Sequence, residues 1–146
     1  MIDNKVLLVL ERSSSELKVS NNNGSYVLEG CFGEIGVKNR NNRIYDESEY
    51  LPQIKSLQDK IKSGKLLGEL DHPQTFDISL KNASHVIEEL NYNKDTRQVM
   101  GRIRLLNTTA GREAQALVDA GVPIHISSRA AGVVENNGHV KSNPLS

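Results

Sequence analysis

Hydrophobic and polar positions divide this chain into many short extended runs and two helical ones. In the first half, "KVLLVLE", "ELKVS" and "SYVLEGCFGEIGV" are runs of β-branched and large apolar residues, and "NNNG" marks a tight turn between the last two. "NRNNRIYD", residues 39 to 46, reads as a loop entering a short extended segment at Ile44 and Tyr45. From Ser48 to Ser63 the spacing changes. Leu51, Ile54, Leu57 and Ile61 recur at three, three and four, which predicts one helical face, with Pro52 in the first turn and Gly64 as the stop.

"KLLGEL" predicts a short strand running into "DHP". "ASHVIEEL" and "QVMGRIRLL", separated by "NYNKDTR", predict an antiparallel hairpin. "TTAGREAQALVDAG" opens on the capping hydroxyls of Thr108 and Thr109 and closes on Gly121, a second helix. "VPIHISS" predicts a strand whose Ile124 and Ile126 share a face, followed by the glycine-bounded ribbon "AAGVVENNGHVK", on which His139 is expected to be exposed. The sum is about seven to nine short strands with two or more helices. Their order does not alternate as a parallel sheet requires, so the expected class is α+β, built on an antiparallel sheet or small β-barrel.

A chain of 146 residues supports one domain with a real core, taken as residues 1–146. Eighteen basic and eighteen acidic side chains cancel, so no overall field favours nucleic acid or an anionic membrane. Lys38, Arg40 and Arg43 flank the asparagine loop, but without interleaved aromatics they read as a solvated loop rather than a phosphate contact. Cys31 is the single cysteine, so no internal disulfide forms, which fits a reducing compartment. "VLLVL" is far too short to span a bilayer and lacks the features of a signal peptide. The expectation is a soluble intracellular protein with no cofactor, no metal, no nucleic acid and no membrane partner.

Chemistry concentrates in "GELDHP", residues 68 to 73, and "ISSRAAG", residues 126 to 132. Pro73 disfavours the α region for His72 and sets it in extended backbone. If Ile124 and Ile126 face the core, strand alternation sends His125 and Ser127 to the opposite face and Ser128 inward, leaving Ser127 as the available hydroxyl. Each has an ordinary alternative, a surface histidine beside a turn and paired serines satisfying a strand end. A metal hydrolase built from Glu69, Asp71, His72 and His85 is disfavoured, because the histidines are thirteen apart and lack the helical pairing of zinc proteases.

"NRNNRIYD", "LLGELDHP", "SHVIEEL" and "MGRIRLLNTTAGREAQALVDAGVPIHISSRAAG", in this order and at these separations, resemble the prohead proteases of T-even-type tailed phages, over about residues 30 to 132. The resemblance implies a herpesvirus-protease-like fold and a serine endopeptidase that cuts scaffold and capsid proteins, commonly after acidic residues, inside an immature capsid in the host cytoplasm. It also implies self-association within the prohead. The family's general base falls on His72 and its nucleophile on Ser127, the serine that alternation exposes. Backbone N–H groups around Ser128 and Arg129 are the nearest oxyanion donors, and Arg129 either shapes that hole or pairs with an acidic substrate side chain. For the third member His85 is the first candidate, with Glu69 and Asp71 as alternatives. His125 and Ala130 stand where relatives carry a small residue and a glycine, and relatives continue for several dozen residues beyond "SNPLS", so the resemblance implies a chain that is truncated at the C-terminus, self-cleaved or a short variant. The alternative is a non-catalytic capsid-interior or scaffold-binding module of the same fold.

Overall fold

In the computed structural model, the backbone is described for residues 7–12, 16–39, 41–69, 82–125, 127–134 and 139–142, and side chains for 16–39, 41–69, 82–125 and 139. Within these residues nine strands and three helices follow one another. They are β1 (Leu7–Arg12), β2 (Lys18–Asn22), β3 (Ser25–Glu34), β4 (Ile44–Tyr45), α1 (Glu47–Ser56), α2 (Gln58–Lys62), β5 (Leu67–Glu69), β6 (Ala83–Asn93), β7 (Gln98–Leu105), α3 (Thr109–Asp119), β8 (Ser127–Val134) and β9 (His139–Ser142). The strands make a five-stranded antiparallel sheet in the order β2-β3-β7-β6-β5 and a four-stranded sheet in the order β1-β8-β9-β4. The expected α+β class with an antiparallel sheet is what the chain forms. A single parallel pairing, β4 with β9, departs from the antiparallel rule.

The "NNNG" turn closes β2 on β3, with Asn23 and Gly24 both at positive φ (55° and 87°), the backbone that matches a two-residue hairpin to strand twist. β7 shows why the sheet has one wet and one dry face. Val99, Gly101, Ile103 and Leu105 are buried, while Met100 is exposed and Arg102 and Arg104 are half-exposed. Ile103 stands between Leu28 on β3 and Ile87 on β6, and this row, with Leu17, Phe32, Leu105 and Ala114, is the core. On the wet face Arg102 Nη1 meets Glu89 Oε2 at 2.9 Å and Arg104 Nε meets Glu88 Oε2 at 3.2 Å.

α3 lies on the dry face through Gly111, Ala114 and Val118, a three-and-four spacing. Its start is anchored by Thr108, whose Oγ1 accepts from the Gly111 N–H (3.0 Å) and donates to the Ala83 carbonyl (2.5 Å).

Two expectations need correction. The single helix over 48–63 is two, α1 and α2, broken at Leu57. Pro52 is the sixth residue of α1, past the first turn, where its missing N–H weakens the ladder. At the break Gln58 Nε2 donates to the carbonyls of Ile54 (3.1 Å) and Leu90 (3.0 Å), tying it to β6. The expected apolar face survives, with Leu51, Ile54 and Leu57 half-buried and Ile61 buried. Second, residues 122–125 are not a strand, and β8 starts only at Ser127. The Ile124 carbonyl is taken by the Leu17 N–H (3.2 Å), at the entrance to β2, and Ile124 packs on the core. Ile126, the other half of the alternation argument, lies outside the described residues.

Candidate active site

β5 delivers the "GELDHP" segment. Its last residue, Glu69, is half-buried with Oε2 shielded from solvent. Asp71 and His72 lie outside the described residues. β8 delivers the other motif. Ser127 is its first residue and pairs with Arg12 of β1, followed by Ser128 opposite Glu11 and Arg129 opposite Leu10. The side chains of all three, and of Ala130, lie outside the described residues. β8 is held on both sides, by β1 along Ser127–Gly132 and by β9 from Gly132 onward.

His85 is placed in detail. It sits on β6 opposite Gly68 of β5, is 8% exposed, and its Nδ1 lies 2.8 Å from the hydroxyl of Ser84, itself only 1% exposed. Burial pushes its pKa down from 6.5 to about 4, so the ring is neutral at physiological pH. The ring lies against Gly68, where a Cβ would overlap Nε2, Cε1 and Cδ2. Because Gly68 turns its Cβ direction to that ring, Glu69, one residue on, projects to the other face of the sheet. Between these pairs the register slips, Gly68 opposing His85 while Glu69 opposes Ala83. Ser84 is thus the extra residue of a β-bulge, a device that re-aims side chains at sheet edges and beside active sites.

His125 is half-buried, and its Nδ1 is closed to solvent with no hydrogen-bond partner among the described residues. His139 is not the exposed ribbon residue expected. Its Nδ1 donates to both carboxylate oxygens of Asp46, at 2.8 and 3.0 Å, which joins β9 to the residue preceding α1. Asp46 makes no side-chain cap to α1, its carboxylate being engaged by that ring. Cys31 is buried with its thiol pKa raised by desolvation, the opposite of a reactive thiolate. Among the described residues, no three His, Cys, Asp or Glu side chains are grouped as ligands for a metal would be.

Three features escaped the sequence reading: the Ser84–His85 contact, the packing of that ring on Gly68, and the Asp46–His139 link. The first two had a signal, since a glycine inside the β-run "KLLGEL" marks a close approach by a neighbour. The third joins residues 93 apart and had none.

The frame matches solved and catalogued proteins. The structure entitled bacteriophage T4 capsid assembly protease, gp21, superposes with a TM-score of 0.84, covering 96% of this chain and 93% of that one at 23% identity. The prohead core protein protease of Enterobacteria phage T4 is 30% identical over 112 residues, 75% of this chain and 51% of that protein, so the chain spans about half the length of this curated relative. The family model described as prohead core protein serine protease matches residues 1–143. With nearly every residue inside that match, and the fold shared across almost the whole length, the chain belongs to the prohead core protein serine protease family.

Proposed function

We propose that this chain is a serine endopeptidase of prohead maturation, with Ser127 as nucleophile and His72 as general base. The observation that carries this reading is the family match over residues 1–143, which spans both "GELDHP" and "SSR". β5 ends at Glu69, three residues before His72 in the sequence, and β8 begins on Ser127; strand ends and the loops beyond them are where a rigid scaffold presents functional side chains. Ser127 Oγ attacks the scissile carbonyl as His72 takes its proton. The same imidazole then protonates the leaving amine. Successive N–H groups of a strand point to opposite edges, so one of the Ser128 and Arg129 backbone N–H groups, whichever does not face β1, is the proposed donor to the oxyanion, worth about 3–4 kcal/mol of transition-state stabilisation.

For the third member we favour Glu69 over His85. That group must accept the N–H of the base and stabilise the imidazolium. A carboxylate is acceptor-only and negatively charged. His85 is neutral, and its Nδ1 is already engaged by Ser84. For Nε2 to accept, Nδ1 must carry the proton and donate to Ser84 Oγ, which leaves the serine O–H, at 1% exposure, without an acceptor among the described residues. An unmet buried donor costs about 1–3 kcal/mol.

The substrates proposed are phage scaffold and capsid proteins, cut inside the immature capsid, where copies of the chain associate. Among the described residues no helix is long and apolar enough to cross a membrane. The test is incubation of the cognate scaffold protein with the parent chain and with Ser127→Ala. Fragments only with the parent support the reading. Fragments with both refute the nucleophile, and binding of scaffold without fragments by the parent favours the non-catalytic module. Arg129→Ala separates its two roles: loss on acidic peptides alone indicates substrate pairing, and loss on all peptides indicates the oxyanion site.

A further inference from the structure

The unit made by Gly68, Ser84 and His85 has no task in the reaction as written above, yet it is assembled at a cost. The bulge at Ser84 breaks the ladder, and the glycine opposite His85 gives up a side chain in a strand. Ser84 is further clamped from behind, since its carbonyl accepts the Leu106 N–H (2.9 Å) and that of Ala83 accepts the Thr108 hydroxyl. The hydroxyl therefore has a fixed origin.

Two protonation patterns fit a 2.8 Å contact between Ser84 Oγ and His85 Nδ1. Either the hydroxyl donates and the ring keeps its proton on Nε2, or the ring donates from Nδ1 and the hydroxyl proton goes unmatched. Each leaves one donor over. In the first it is a ring N–H on a residue of β6, beside edge strand β5 and 8% exposed; in the second it is a hydroxyl on a residue 1% exposed. Only the first donor can be reached by an incoming acceptor. We propose that Ser84 is a positioning residue whose hydroxyl donates to His85 Nδ1 and locks the ring as the Nε2–H tautomer, presenting a hydrogen-bond donor over edge strand β5 to a carbonyl oxygen of a bound peptide. Only the last clause rests on the proteolytic reading; the tautomer stands or falls on its own.

The ring reaches from β6 across Gly68, so Nε2 overlies the strand that carries the chain toward His72. Beyond β5 the five-stranded sheet has no further strand among the described residues, and an extended peptide adds to such an edge through its main chain. A donor fixed there selects extended peptide over side-chain features, which suits an enzyme that cuts several proteins.

The experiment is a long-range nitrogen–proton correlation spectrum of the whole chain, labelled with ¹⁵N-histidine, at pH 7, for the parent, Ser84→Ala and Ser84→Thr. His85 is expected as Nε2–H in the parent and in Ser84→Thr, and as a mixture of tautomers in Ser84→Ala. Nδ1–H in the parent overturns the inference, with no variant needed. In parallel, kcat/KM on a scaffold-derived peptide is expected to fall roughly ten-fold in Ser84→Ala, the size of one hydrogen bond, and to recover in Ser84→Thr. Undiminished cleavage by Ser84→Ala with a shifted tautomer would remove the peptide-binding role. A parent that shows Nε2–H and cuts nothing refutes the protease reading and leaves the Ser84–His85 assignment intact.

Discussion

Gly68 and His85 constrain one another more tightly than any other described pair near the site. Gly68→Ala places a methyl inside the imidazole, and overpacking of this kind costs about 2–3 kcal/mol. Gly33, whose Cβ direction meets nothing within 4 Å, is the control, and Gly33→Ala is expected to change stability by less than about 0.5 kcal/mol. Urea unfolding of both variants checks the contrast. The same ring sets a pH dependence. Its folded pKa, about 4, lies below the unfolded value of 6.5, so the unfolded chain binds the extra proton first. This contribution to stability is complete above about pH 6.5, is lost as pH falls toward 4, and amounts to about 3 kcal/mol at most. His85→Gln is expected to flatten that part of the profile, measured by urea midpoints between pH 4 and 7. The dipeptide Ser84-His85 was visible in the sequence as a strand segment. Its bulge was not, because a register slip depends on the partner strand, and no local pattern records it.

At the scale of elements, Thr108 anchors the start of α3. Thr108 satisfies one N-terminal N–H of the helix and one carbonyl of β6. Thr108→Ala is expected to cost about 1–2 kcal/mol and Thr108→Ser far less, by thermal or urea unfolding. This cap was legible, as were the β6–β7 hairpin and the apolar stripe from Leu51 to Ile61, because each is written in residues close along the chain. The break at Leu57 was less so, since it depends on Gln58 reaching the carbonyl of Leu90, thirty-two positions away. The strand at "VPIHISS" was misplaced for a related reason. Pro123 offers no N–H and Ile124 gives its carbonyl to Leu17, so the ladder starts at Ser127. Ser127 was selected through an alternation that the backbone before it does not follow, and what supports it now is the family match rather than that pattern.

For the whole molecule, β5, which ends three residues before the proposed base, is at the edge of one sheet, and β8, which opens on Ser127, lies inside the other. The proposed pairing of His72 with Ser127 requires β8 to be held in place, and in the four-stranded sheet β1 pairs with β8 along Ser127–Gly132. The pairing of β1 with β8 was not legible in the sequence, because the family motifs begin near residue 30 and strand pairing over such a distance leaves no local pattern. Deleting residues 1–12 is expected to abolish cleavage of a scaffold-derived peptide, and full activity of the shortened chain would show that β8 holds Ser127 without its neighbour. The most direct test of the central claim is labelling of the parent chain and of His72→Ala with a fluorophosphonate, read by intact mass and peptide mapping. One adduct on Ser127 in the parent, and little or none in His72→Ala, is the predicted result. A parent that cleaves scaffold protein while Ser127 stays unlabelled, with the adduct elsewhere or absent, would contradict it.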